Sequence, residues 1–264
     1  MQYQGGVVSL VRFLGIDNSP PANSSEQYTR ARTSLFLLSP LHIIAIFICL
    51  PIISNTSVQA NNEFAVQYKA YQQYMKSASA AFQKKDYPTA IINYSKAIEM
   101  SPFESNSYYN RGIAYYRTGK EKEAEEDFDK VIVTDPRMSS AYVYRGLCRE
   151  KLKKYKGALN DYTKALELKP NDAAIQNNIA YLYVSANDES FRDKTKALEH
   201  AKKAAELSND KNAEILDTLA RAYFINGQIR DAVDTENRAL KLDPYNDEFK
   251  GRLKEYEKAI NPSL

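Results

Sequence analysis

From residue 64 onward, apolar positions recur at intervals of three and four, the period of helices that bury one face. The pattern also repeats itself. Pro102, Pro136 and Pro170 stand 34 residues apart, and Pro244 follows 74 residues later, two periods plus six. A fixed period in the thirties is the mark of stacked helical units, none of which can bury its apolar face alone. Upstream the pattern changes. Residues 1–34 show no sustained period, contain Pro20, Pro21, Asn23, Ser24 and Ser25, and predict loop or disorder or a mis-assigned start. Leu35 to Ile53 is an apolar run without an acidic or fixed positive side chain.

Alignment on the prolines recovers the repeating unit. The first is YQQYMKSASAAFQKKDYPTAIINYSKAIEMSP (71–102), the second SNSYYNRGIAYYRTGKEKEAEEDFDKVIVTDP (105–136), the third SSAYVYRGLCREKLKKYKGALNDYTKALELKP (139–170). Their eighth position is small: Ala78, Gly112, Gly146. The twentieth is Ala90, Ala124, Ala158; the twenty-fourth Tyr94, Phe128, Tyr162; the twenty-seventh Ala97, Val131, Ala165. Small residues let two helices approach, the aromatic fills the space toward the next unit, and the proline ends the second helix. A fourth unit (173–209) keeps Ala180 and Tyr183 but places Ala197 five residues late, with Ala201 for the aromatic and Asn209 for the proline. SANDESFRD therefore predicts a longer turn. A fifth (213–244) has Ala220, Tyr223, Gly227, Ala232 and Ala239, and Glu236 in place of the aromatic. Phe249, Leu253, Tyr256 and Ile260 then predict a capping helix within 245–264.

These five units resemble the tetratricopeptide repeat, a helix–turn–helix unit of 34 residues. The resemblance covers residues 61–244 and the cap, and the inserted turn is similar to one in bacterial members. It implies an all-α fold, an α-solenoid forming a right-handed superhelix. It also implies a concave groove, lined by the first helix of each unit, that binds a peptide or helix of a partner protein. Carried over position by position, the groove holds Met75 and Phe82, then Tyr109, Asn110, Ile113, Tyr116 and Arg117. Tyr144, Leu147 and Lys151 follow, then Asn177, Asn178 and Tyr181, then Asp217, Arg221 and Phe224. An asparagine such as Asn110 suits an extended peptide because it offers a donor and an acceptor together. Tyrosines suit anchoring, with broad faces and little rotamer entropy to lose. The family's carboxylate clamp is not expected: its five positions are occupied by Met75, Ser79, Asn110, Ser140 and Tyr144, of which only Asn110 matches.

The N-terminal run has alternative readings. Its nineteen residues span about 28 Å as a helix, enough for a hydrocarbon core. Arg30 and Arg32 precede it, and no basic residue follows until Lys69. Residues 35–60 read as a signal peptide, with Val58-Gln59-Ala60 as the exit, or as an uncleaved anchor interrupted by Pro40 and Pro51. A buried hydrophobic helix is the remaining reading. Export, to the periplasm or to the inner membrane through residues 35–53, is the expectation; the alternative is cytoplasmic.

Composition narrows the chemistry. The net charge is +3, from 36 basic and 33 acidic side chains, so nothing points to nucleic acid. Cys49, Cys148, His42 and His200 form no ligand set, and no glycine motif cradles phosphate, so no cofactor or metal is expected. No nucleophile–base pair stands out, and the chain reads as a scaffold rather than an enzyme. The alternatives are a self-assembling structural array or an accessory module of an envelope enzyme complex. Several groups are expected to do nothing specific. Lys120 to Lys130 reads as a solvated face with Glu121–Glu125 and Glu126–Lys130 neighbours, Lys151 to Lys156 as a turn, Cys148 as packed and His200 as exposed. Tyr74, Tyr94, Tyr108, Tyr115, Tyr142 and Tyr162 read as core.

Overall fold

The computed structural model describes residues 40–186 and 188–261, with side chains from residue 62 on. It divides into Met1–Val66 and Gln67–Leu264. Of the first unit, residues 40–61 are described by their backbone alone, as the start of helix α1 (Pro40–Gln83). The export and anchoring expectations rest on side chains of residues 35–60, outside those described. Among the described residues no helix is long and apolar enough to cross a membrane.

In the second unit α1 continues into α2 (Tyr87–Met100), α3 (Ser105–Arg117), α4 (Glu121–Thr134), α5 (Ser139–Lys151) and α6 (Tyr155–Leu168). Next come α7 (Ala173–Ser185), α8 (Lys194–Leu207), α9 (Ala213–Ile225), α10 (Ile229–Leu242) and α11 (Asp247–Ile260). Each helix packs on its neighbours in sequence, so this unit is an α-solenoid, and no described residue is in a strand. The punctuation is local chemistry. Asp86, Asp172, Asp193, Asn212 and Asn246 cap helices by accepting from amides of the following turn. Pro102, Pro136, Pro170 and Pro244 each lie two residues beyond a second helix and cannot extend it. Between the helices of a pair, one residue takes the left-handed conformation: Lys85, Gly119, Lys153 and Gly227 in the four regular units. Glycine does so freely; a lysine there costs roughly 1–2 kcal/mol.

The small positions sit where the helices touch. Ala78, Ala90, Ala124, Ala158, Ala180, Ala197, Ala220 and Ala232 are all fully buried. A methyl group on Gly146 would meet Tyr162 Cε1 at 2.5 Å, and one on Gly112 would meet Phe128 Cζ at 3.0 Å. The aromatic thus presses on its own unit's first helix. It reaches the next unit as well: Phe128 stacks on Tyr144 with ring centres 5.5 Å apart. Tyr94, Tyr142 and Tyr162 are core, while Tyr74, Tyr108 and Tyr115 are half-buried, the first under Lys96 and the other two beside Arg111. Cys148 is buried, and burial, with Glu125 and Glu121 adding to it, pushes its thiol up to about 12. The longer turn of the fourth unit carries a short 3-10 helix, Glu189–Phe191. Phe191 packs at 5.7 Å from Tyr155 and 5.8 Å from Tyr183.

Lys120 to Lys130 is solvated on one side only: Lys120, Lys122, Glu123, Glu126 and Lys130 are exposed, whereas Asp127 is buried and Glu125 and Asp129 are half-buried. Arg111 donates from Nε and Nη2 to Asp127 (2.8 and 2.7 Å) and from Nη1 to Ser95 Oγ (2.9 Å). One period later Arg145 binds Asp161 from Nε and Nη2 (3.0 and 2.5 Å) and Asp129 from Nη1 (2.7 Å). Arg149 and Lys154 both reach Glu125 (2.9 and 2.7 Å), and Arg149 also binds Asp161 (2.9 Å). Burial alone raises the Glu125 carboxyl, but those two cations outweigh it and hold it below the usual range. Asp127 pairs with the first helix of its own unit, while Glu125 and Asp129 reach cations of the next unit, contacts that spacing along one helix does not show. His200 also departs from expectation. It is half-buried against Tyr183, with Nδ1 2.6 Å from Gln176 Oε1, and burial lowers its pKa.

Candidate functional site

All sixteen residues singled out from the sequence lie on the first helices α1, α3, α5, α7 and α9. The turn after each first helix is short in four of the five units, which fixes the rotation of that helix against its partner and keeps the same positions on one side from unit to unit. Tyr109, Asn110, Ile113, Tyr116, Tyr144 and Leu147 are half-buried, so each presents part of its surface.

The structure brings one aromatic group together across α3 and α5. Tyr144 stands 6.0 Å, edge to face, from both Tyr109 and Tyr116, over the buried Phe128. Lys151 places its ammonium 4.3 Å from the Tyr116 ring centre and 3.7 Å from Glu121. Such a contact holds a cation in place without removing it from water. Burial raises the Tyr109 and Tyr116 phenols, with Cys148 and Glu150 adding to it at Tyr116 and Tyr144 adding at both; both stay neutral donors at physiological pH. Beside them Arg117 is exposed at the end of α3. Asn110 donates one amide N–H to Asn106 O (2.8 Å), which fixes the amide and turns its carbonyl oxygen into an acceptor for a visitor.

A second group joins α7 and α9. Arg221 lies over the ring of the exposed Tyr181 at 5.0 Å. Asn178 is half-buried next to Asn177, whose Oδ1 is buried with no hydrogen-bond partner. Phe224 stacks on Tyr256 of α11, ring centres 4.5 Å apart. At the other end Met75 accepts a bond from Ser107 Oγ (3.2 Å) and, with Phe82, packs on the α1–α2 core, more structural than available. Asp217 departs from the expectation. It is 6% exposed and held by Arg252 of α11, so it faces the cap instead of the open side. Tyr256, expected in the capping helix, thus meets the first-helix face, and Arg252 joins it there with no signal of its own in the sequence.

No group of three or more His, Cys, Asp or Glu among the described residues could hold a metal ion. Residues 105–138 and 139–172 each match the family model of the tetratricopeptide repeat, and residues 78–119 match a second model of TPR repeats. No curated protein matches the chain in sequence. Among solved structures, MamA from Desulfovibrio magneticus is 19% identical over 67% of this chain and 97% of its own, with a TM-score of 0.59. YrrB, a TPR protein with an unusual peptide-binding site, is 20% identical over 76% of this chain and 97% of its own, TM-score 0.56. A thermophilic TPR protein from Thermus thermophilus is 18% identical over 70% of this chain and 98% of its own, TM-score 0.56. At these identities the likeness is one of fold. Repeat models over residues 78–172, a solenoid of paired helices and neighbours of the same architecture agree: the chain carries tetratricopeptide repeats.

Proposed function

We propose that the chain is a non-enzymatic scaffold that holds a peptide or helix of another protein against the face formed by its first helices. The observation that carries this reading is the Tyr109–Tyr116–Tyr144 group, contiguous across two units and half-buried rather than sealed. Rigid aromatic rings give a partner broad contact area at low entropic cost. The Asn110 acceptor and the Arg117 and Lys151 cations at its edge supply direction along the partner's backbone. The peptide-binding site of YrrB, on a fold of the same kind, supports the assignment of a polypeptide partner.

Residues 35–53 place this scaffold outside the cytoplasm in the same proposal, by export or by anchoring. The binding claim is tested by affinity capture with residues 61–264, parent against Tyr109→Ala combined with Asn110→Ala. The double variant is expected to lose the captured polypeptide at unchanged helicity; equal capture by both would remove this site. Localisation is tested separately by fusing a reporter active only in the periplasm after residue 60. Activity is expected, and a reporter that stays silent contradicts the export reading.

A further inference from the structure

Helix α11 covers the last pair of the array, burying Phe249 and Tyr256. Beneath it three ionisable side chains from three helices meet. Asp217 of α9 accepts from Arg252 Nε of α11. Glu236 of α10 occupies the position that holds Tyr94, Phe128 and Tyr162 in earlier units. It is 0% exposed, and neither carboxylate oxygen has a hydrogen-bond donor in the protein. Its nearest guanidinium nitrogen, Arg252 Nε, lies 3.9 Å from Oε1, beyond hydrogen-bond reach and already committed to Asp217. Arg252 is thus the cation within ion-pair distance of both buried acids, and it bonds only Asp217. An ionised carboxylate sealed from water without a donor is strongly disfavoured, so one acid in such a site keeps its proton.

We propose that Asp217 and Glu236 hold one proton between them and that this proton is a latch: the capping helix docks by taking it up and loosens as it is lost. The protonated Glu236 donates to Asp217, which gives one orphaned oxygen a partner and removes the buried charge from the other without a second cation. Burial, reinforced by the Asp217 charge and opposed by Arg252, raises Glu236 to about 8. Burial raises Asp217 as well. The groups that face the pair are Arg221 from α9 and Arg252 and Tyr256 from α11, with Glu248 touching Arg252 from the solvent side at 3.7 Å. Tyr256 is raised chiefly by burial and stays neutral throughout.

The sign follows from proton counting. With α11 released, Glu236 titrates as an ordinary carboxyl near 4.5; with α11 docked it titrates near 8. Between those values the docked state holds the extra proton. Docking therefore weakens about tenfold per pH unit across that window and levels off above it. The cap is tightest near pH 5 and loosest at pH 8 and beyond. Because Phe224 stacks on Tyr256, loosening reaches the α9 end of the first-helix face. The latch stands whatever binds that face.

Amide hydrogen exchange of the full chain between pH 5.5 and 8 tests it, after correction for the base-catalysed intrinsic rate, with α5 as the internal reference. The opening constant of α11 is expected to rise about tenfold per pH unit while α5 stays level. Glu236→Gln keeps an N–H donor toward Asp217 and has no proton to lose, so its α11 should stay protected at pH 8 with no slope. Asp217→Asn frees Arg252 for Glu236, and its slope should vanish too. A parent α11 that opens equally at pH 5.5 and 8 would overturn the latch even if neither variant folds. So would a Glu236→Gln chain that keeps the parent's slope.

Discussion

Asp161→Ala separates a solenoid stapled by buried ion pairs from one held by apolar packing alone. Asp161 is 3% exposed and accepts three hydrogen bonds, two from Arg145 and one from Arg149. Removing one partner of a buried pair costs about 3–5 kcal/mol, because the cations left behind stay desolvated. Here each guanidinium keeps a second acid, Asp129 for Arg145 and Glu125 for Arg149. The low end of that range applies, about 3 kcal/mol. Exposed Glu126, in the acidic run one unit earlier, is the control, and its alanine variant should stay within about 0.5 kcal/mol of the parent. Urea unfolding followed by circular dichroism measures both. The loss in Asp161→Ala should persist in 0.5 M salt, since a buried pair is poorly screened. A variant within about 0.5 kcal/mol of the parent, or a loss that salt erases, would refute the reasoning.

Other expectations follow from single contacts. Gly146→Ala forces a methyl group against Tyr162, whose hydroxyl is pinned by Glu150 at 2.9 Å; a net destabilisation of about 1–3 kcal/mol in the same urea assay is expected. Gly251→Ala meets nothing within 4 Å on exposed helix and should gain about 0.5–1 kcal/mol. In a Cys49→Ser background, Cys148 should resist alkylation at pH 8, where a thiol raised to about 12 is neutral and sealed; labelling at the rate of a free thiol would contradict its burial. Deleting residues 245–264 removes the buried Phe249 and Tyr256 and uncovers Phe224, at a cost of about 3–6 kcal/mol in thermal or urea unfolding. A truncated chain as stable as the parent would contradict the capping role of α11.

The periodic features were legible because each expresses a contact repeated in every unit. Prolines mark where second helices stop, and Gly112 and Gly146 mark where an aromatic presses closest. Contacts between helices were harder to read. Spacing of three and four along one helix pairs Glu126 with Lys130, but Asp127 and Asp129 answer to arginines on the helices before and after. Arg111 and Arg145 stand one period apart, as do Asp127 and Asp161, so the aligned units did carry that signal. Asp217 shares its position with groove residues of other units, and only the reach of Arg252 from α11 removes it from that role. Glu236 stood out as a departure, yet nothing in its own unit shows that the cap seals it completely. His200 sits among charges in sequence and against Gln176 in space, since the inserted turn resets the phase of α8.

The most direct test of the peptide-binding account is site-specific photocrosslinking. Benzoylphenylalanine is placed at Tyr109 in one sample and at Val133, an exposed residue on the second-helix side of the same unit, in another. A captured polypeptide crosslinked from position 109 and absent from position 133 is the predicted result. Equal crosslinking from both, or crosslinking from position 133 alone, would contradict a partner seated on the first helices.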